Sequence, residues 1–130
     1  MGNYTELVLK CRVKDNLPQD VEAILNYLFN SQDIHLEPSN LPNHPFFECG
    51  RWRFVGNCAS YYHCPFVLSR YEKGYIFSRS DMKNYRQEIE KFLDWLKPYL
   101  DVGADFIGWI WPEEQEAPTS INVSQISWPF

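Results

Sequence analysis

The chain has 130 residues, of which 45% are apolar and 17% aromatic, and a formal charge of −5. This length supports one domain around one core, so neither disulfides nor a structural metal is required on grounds of size. The negative balance argues against adsorption of the whole chain to nucleic acid or anionic membrane, leaving local patches as the place to look, and no stretch approaches the roughly 18 apolar residues of a membrane span.

The first residues lead only into the short run Leu7-Val8-Leu9, without the basic and apolar regions of a signal peptide, and Glu6 stands where myristoylation would need Ser or Thr. A cytoplasmic location is therefore expected, with Cys11, Cys49, Cys58 and Cys64 reduced and the two Asn-x-Ser/Thr sequons chance matches. Leu7, Leu9, Cys11 and Val13 alternate with Val8, Lys10, Arg12 and Lys14, which predicts a strand with one buried and one largely charged face. After Asn16-Leu17-Pro18, the stripe Val21, Ile24, Leu25, Leu28 and Phe29 predicts a helix over 18–30, and the proline-rich residues 31–45 read as a loop.

Arg51, Arg53 and Val55 alternate with Trp52 and Phe54, which predicts a second strand over 51–55 and a turn at Asn57 to Ser60. Tyr61 to Tyr71 and Tyr75 to Ser80 flank Glu72-Lys73-Gly74 as the arms of a β-hairpin. Tyr85, Ile89, Phe92, Leu93 and Leu96 predict a second helix, capped by Asn84 and ended by Pro98. The run Ala104 to Trp111 is apolar on both faces, as in a central strand, and an acidic loop, Glu113 to Glu116, leads to a last strand near Thr119 to Val123.

The order β-α-β-β-β-α-β-β predicts an α+β fold: a two-layer α/β sandwich, with two amphipathic helices on one face of a mainly antiparallel sheet, as a ferredoxin-like variant with an extra hairpin strand. If the helices cover one face, Lys10, Arg12 and Lys14, with Arg51 and Arg53, project from the other. Strand-borne Lys and Arg also keep edges soluble without binding anything.

The richest stretch for function is Phe46 to Phe66, where seven aromatics mix with Arg51, Arg53, His63 and three of the four cysteines. Trp, Tyr and Arg are enriched at protein interfaces, so Arg51, Trp52, Arg53, Tyr61 and Tyr62, together with Lys10 and Arg12, are the candidate partner-binding residues. Rings of this kind also fill ordinary cores. The pentapeptide Lys73-Gly74-Tyr75-Ile76-Phe77 resembles the basic-Gly-aromatic opening of the RNP1 motif of RNA-recognition domains, in which strand aromatics stack on bases. It departs from that motif at Ile76, where Gly or Ala is wanted, and in the offset of the next aromatic.

Cys49, Cys58, His63 and Cys64 lack the paired spacing of structural zinc sites, and adjacent His63 and Cys64 would point to opposite faces of a strand. No nucleophile elbow or phosphate loop is present, Glu88 and Glu90 do not share a helix face, and Glu113, Glu114 and Glu116 read as a solvated loop. The expectation is thus a non-enzymatic protein-binding domain of regulatory, inhibitory or immunity-like type, without cofactor or metal and not bound to membrane. A homodimer through the aromatic C-terminal tail is compatible with it. The alternatives are a single-stranded nucleic-acid binder using the open sheet face and, behind it, a small cysteine- or zinc-dependent enzyme.

Overall fold

A computed structural model describes residues 3–30, 37–60, 66–101, 103 and 105–126. Strand β1 (Thr5–Arg12) buries Leu7, Leu9 and Cys11 and leaves Lys10 and Arg12 exposed, but Glu6 and Val8 are buried as well, so the alternation in the sequence is realised as alternating burial only over residues 9–12. Helix α1 (Gln19–Phe29) starts immediately after Pro18, which has no N–H to leave unpaired, and buries Val21, Ile24, Leu25 and Leu28. A four-residue helix α2 (Pro45–Glu48) follows, capped by His44, whose Nδ1 accepts from the Phe46 N–H at 3.0 Å.

Strands β2 (Leu68–Glu72) and β3 (Tyr75–Met82) form the expected hairpin. Its two connecting residues, Lys73 and Gly74, have φ of 53° and 75°, the left-handed pair that a two-residue turn requires. Helix α3 (Glu88–Leu96) begins later than its periodicity suggests. Gln87 is left-handed, Tyr85 stays outside and exposed, and Asn84 Oδ1 reaches forward to accept from the Ile89 N–H at 2.8 Å. Strands β4 (Phe106–Pro112) and β5 (Thr119–Asn122) complete one antiparallel sheet in the order β2-β3-β1-β4-β5. Helix α1 thus links β1 to β2 with β3 between them, and α3 links β3 to β4 with β1 between them.

The core explains the one-sided build. Leu7, Leu9, Cys11, Ile76, Met82 and Ile107 join the stripes of α1 and α3 in a single cluster, which places both helices on the same face of the sheet. The α+β sandwich follows from this arrangement.

Residues 51–55 depart from expectation. Trp52–Phe54 form a 3-10 helix, with the Val55 N–H donating to the Trp52 carbonyl at 3.3 Å. The alternation there is misleading because Trp52 and Val55, three residues apart, are the two that become buried, and an i,i+3 pair shares one side of a turn rather than of a strand. Trp52 packs against Tyr27, Phe46 and Phe47 with ring centroids 5.2 to 5.9 Å apart, and Phe46 lies 5.3 Å from Phe92. Much of the aromatic stretch therefore plugs the helical layer, where each such contact adds about 0.5–1.5 kcal/mol beyond area burial. The rest of that stretch, Tyr61, Tyr62, His63 and Cys64, lies outside the described residues, as do His35, Ala104 and the tail aromatics Trp128 and Phe130.

Candidate functional site

The face of the sheet turned away from the helices is built by register. On β1 the even-numbered residues point there, and their direct cross-strand partners share that face. Arg12 sits opposite Tyr75, which in turn sits opposite Glu72; Lys10 sits opposite Phe77, which sits opposite Arg70. The next row runs Leu68, Arg79, Val8, Trp109, Ser120, and the last brings Asp81, Glu6 and Trp111 together. Rings on β3 and β4 are thus interleaved with cations on β1, β2 and β3. Lys10 Nζ lies 5.8 Å from the Phe77 centroid and the Arg12 guanidinium 5.6 Å from that of Tyr75. At the start of the seam, Lys83 Nζ lies 5.8 Å from the Tyr4 ring. Tyr4 to Arg12 spans about 27 Å at the usual strand rise.

Polar contacts fix the rings. The Glu6 carboxylate, buried beneath this face, accepts from Arg79 Nε at 3.1 Å and from Trp109 Nε1 at 3.2 Å, tying β1 to both neighbours. Trp111 Nε1 donates to the Gln115 carbonyl at 2.8 Å in the β4–β5 turn. Of the acids on the face, Glu6 and Asp81 are buried, and Asp81 accepts from Ser60 Oγ. The exposed charges are Lys10, Arg12, Arg70 and Arg79 against Glu72 alone, and Arg70 meets Glu72 only at 3.5 Å with both side chains mostly in water. The chain is acidic, whereas on this face four cations meet three carboxylates, with Arg79 paired to Glu6 and Arg70 near Glu72, so the positive surplus lies towards Lys10 and Arg12.

The candidate residues from the sequence separate into two sets. Lys10 and Arg12 lie on the open face, and the structure brings them together with Tyr75, Phe77, Arg70, Arg79 and Trp109. Arg51, Trp52 and Arg53 do not join them. Trp52 is 1% exposed in the core, Arg53 pairs with Glu37 and stacks 5.0 Å from the Trp52 ring, and the exposed Arg51 lies 5.7 Å from the Tyr85 ring. Their expected projection from the open face fails because it relied on the strand over 51–55. Tyr61 and Tyr62 lie outside the described residues. Tyr75 and Phe77, the aromatics of the RNP1-like pentapeptide, and Arg79, which sequence reasoning did not nominate, alternate along β3, and their place beside Lys10 and Arg12 is readable only once β3 is known to pair with β1.

The thiols and histidines occupy other environments. Burial pushes the Cys11 thiol up to about 12 and raises that of Cys58, so both stay protonated at neutral pH. His44 is held at both nitrogens, by the Phe46 N–H on Nδ1 and by Asp94, 2.8 Å from Nε2. Among the described residues no three His, Cys, Asp or Glu side chains converge as metal ligands, and no helix is long and apolar enough to cross a membrane. Comparison with protein-family models, curated proteins and solved structures gives no match to this chain.

Proposed function

We propose that the protein is a single-stranded nucleic-acid-binding domain whose ligand lies along the β1–β3 seam of the open sheet face. The observation that carries this reading is the cross-strand placement of Tyr75 and Phe77 beside Arg12, Lys10 and Arg70, with Trp109 fixed one row further on. Tyr75 and Phe77 are also the aromatics of the RNP1-like pentapeptide, and they sit on a central strand of an antiparallel sheet. Magnitudes favour the exchange that binding requires. A cation resting on an exposed ring contributes about 0.5–1 kcal/mol, whereas a base stacked on that ring contributes about 1–3 kcal/mol and leaves the cation available to a phosphate.

A protein partner is the rival occupant of the same face. The seam favours nucleic acid because Phe77 has cations on both neighbouring strands, so a base on the ring would have phosphates within reach of positive charge on either side. Fluorescence-anisotropy titration of labelled oligothymidine and oligouridine at low salt tests the reading. Micromolar binding that poly-glutamate of equal charge does not displace supports it. Absence of binding, or equal displacement by poly-glutamate, overturns it, and the second result favours an acidic protein partner instead.

A further inference from the structure

At the start of the seam, Tyr4, Arg51, Phe54, Cys58, Met82 and Lys83 line a cavity of about 220 Å³. It adjoins the open face through Tyr4 and Lys83, whose side chains approach each other at the end of β1 and β3. Two of its walls are aromatic, and Phe54 is 45% exposed. Two others are cationic. Among the described residues neither Arg51 nor Lys83 forms an ion pair, each resting instead beside a tyrosine ring at 5.7 and 5.8 Å. Burial raises the Cys58 thiol and the buried Asp81 carboxylate adds to that rise, while Arg51 and Lys83 both oppose it, so the field of the two cations reaches a cavity wall that one carboxylate also reaches.

A terminal phosphomonoester carries about −1.5 to −2 charges near neutral pH, against −1 for an internal phosphodiester. Two cations without carboxylate partners suit the former, and the volume, below the roughly 300–1,000 Å³ of drug-sized sites, suits one base rather than several. We infer that this cavity receives the terminal nucleotide of the strand lying on the open face, with Tyr4 and Phe54 against the base and Arg51 and Lys83 on the terminal phosphate. The inference rests on the nucleic-acid reading and adds to it recognition of a phosphorylated strand end.

Isothermal titration of the full chain with oligothymidine hexamers bearing a 5′-phosphate, a 3′-phosphate or neither separates the two claims. One phosphorylated form should bind about tenfold tighter than the unphosphorylated strand. Arg51→Ala, at an exposed position off the sheet face, should cut that gain to threefold or less and leave the affinity of the unphosphorylated strand within twofold. Phe54→Ser, also exposed, should weaken the preferred phosphorylated strand severalfold, with a thermal melt confirming that the variant is folded. If all three hexamers bind wild type equally, or Arg51→Ala keeps the full gain, the terminal site is wrong and the sheet-face reading survives. If no hexamer binds, both fall.

Discussion

Replacing Glu6 with Gln should move stability and ligand affinity in opposite directions. The Glu6 carboxylate is buried under the open face, where it accepts one hydrogen bond from Trp109 and one from Arg79. Gln keeps an acceptor for the indole N–H but removes the charge. The Arg79 side chain is 45% exposed, so solvent screens the ion pair and its loss should cost about 1 kcal/mol or less, a few degrees in Tm. The same change withdraws a negative charge from beneath the seam. For a phosphate roughly 7 Å away in a water-like dielectric the relief is about 0.6 kcal/mol, close to a threefold gain in affinity. Thermal denaturation and low-salt anisotropy titration on the same preparation read the two effects, and 0.5 M salt should erase the affinity gain. Weaker oligonucleotide binding by a folded Glu6→Gln protein, or a gain that persists in high salt, would refute the electrostatic account of this face.

Phe77→Ala removes the central ring and should weaken oligonucleotide binding about 5- to 150-fold, the range for losing one stacked base, at a stability cost of about 1 kcal/mol for a half-exposed strand position. Gly108→Ala should destabilise severely. At φ 147° a Cβ would fall 1.8 Å from the Val8 carbonyl oxygen and 2.8 Å from its carbon, so β4 must separate from β1, and a urea midpoint close to that of wild type would show the strand contact to be wrong. Stability should also decline in alkali. Cys11 has its folded pKa raised from 9.0 to about 12, so its preference for the neutral thiol is fully present below pH 9 and is lost as pH climbs towards 12, at about 1.4 kcal/mol per unit. Tyr71, raised by burial and by its bond to Glu22, adds in the same sense. Cys11→Val should flatten this decline in denaturant titrations at stepped pH without abolishing it, and an unchanged slope would remove Cys11 from the explanation.

Periodicity was a sound guide wherever a segment buries one continuous stripe. The β1 alternation, the α1 stripe and the Lys73-Gly74 turn can each be read from local chemistry, and together they impose a sheet with both helices on one side. Over 51–55 the same logic misled, because five residues cannot distinguish a two-residue period from an i,i+3 pair when large rings occupy alternate positions. That ambiguity spread to the site. Arg51 and Arg53 were expected beside Lys10 only because their segment was read as a strand. The rings that do meet Lys10 and Arg12 arrive through β3, some sixty residues later in the chain, and cross-strand register over that separation has no local signature.

The most direct measurement is amide and indole NMR shift mapping of the isotopically labelled protein as oligothymidine is added at low salt. The account predicts the largest changes at Lys10, Arg12, Tyr75, Phe77 and the Trp109 indole, with the solvent-facing residues of α1 and α3 unmoved. Shifts confined to the helical side around Arg53 and Asp94, or an unchanged spectrum at saturating oligonucleotide, would contradict it.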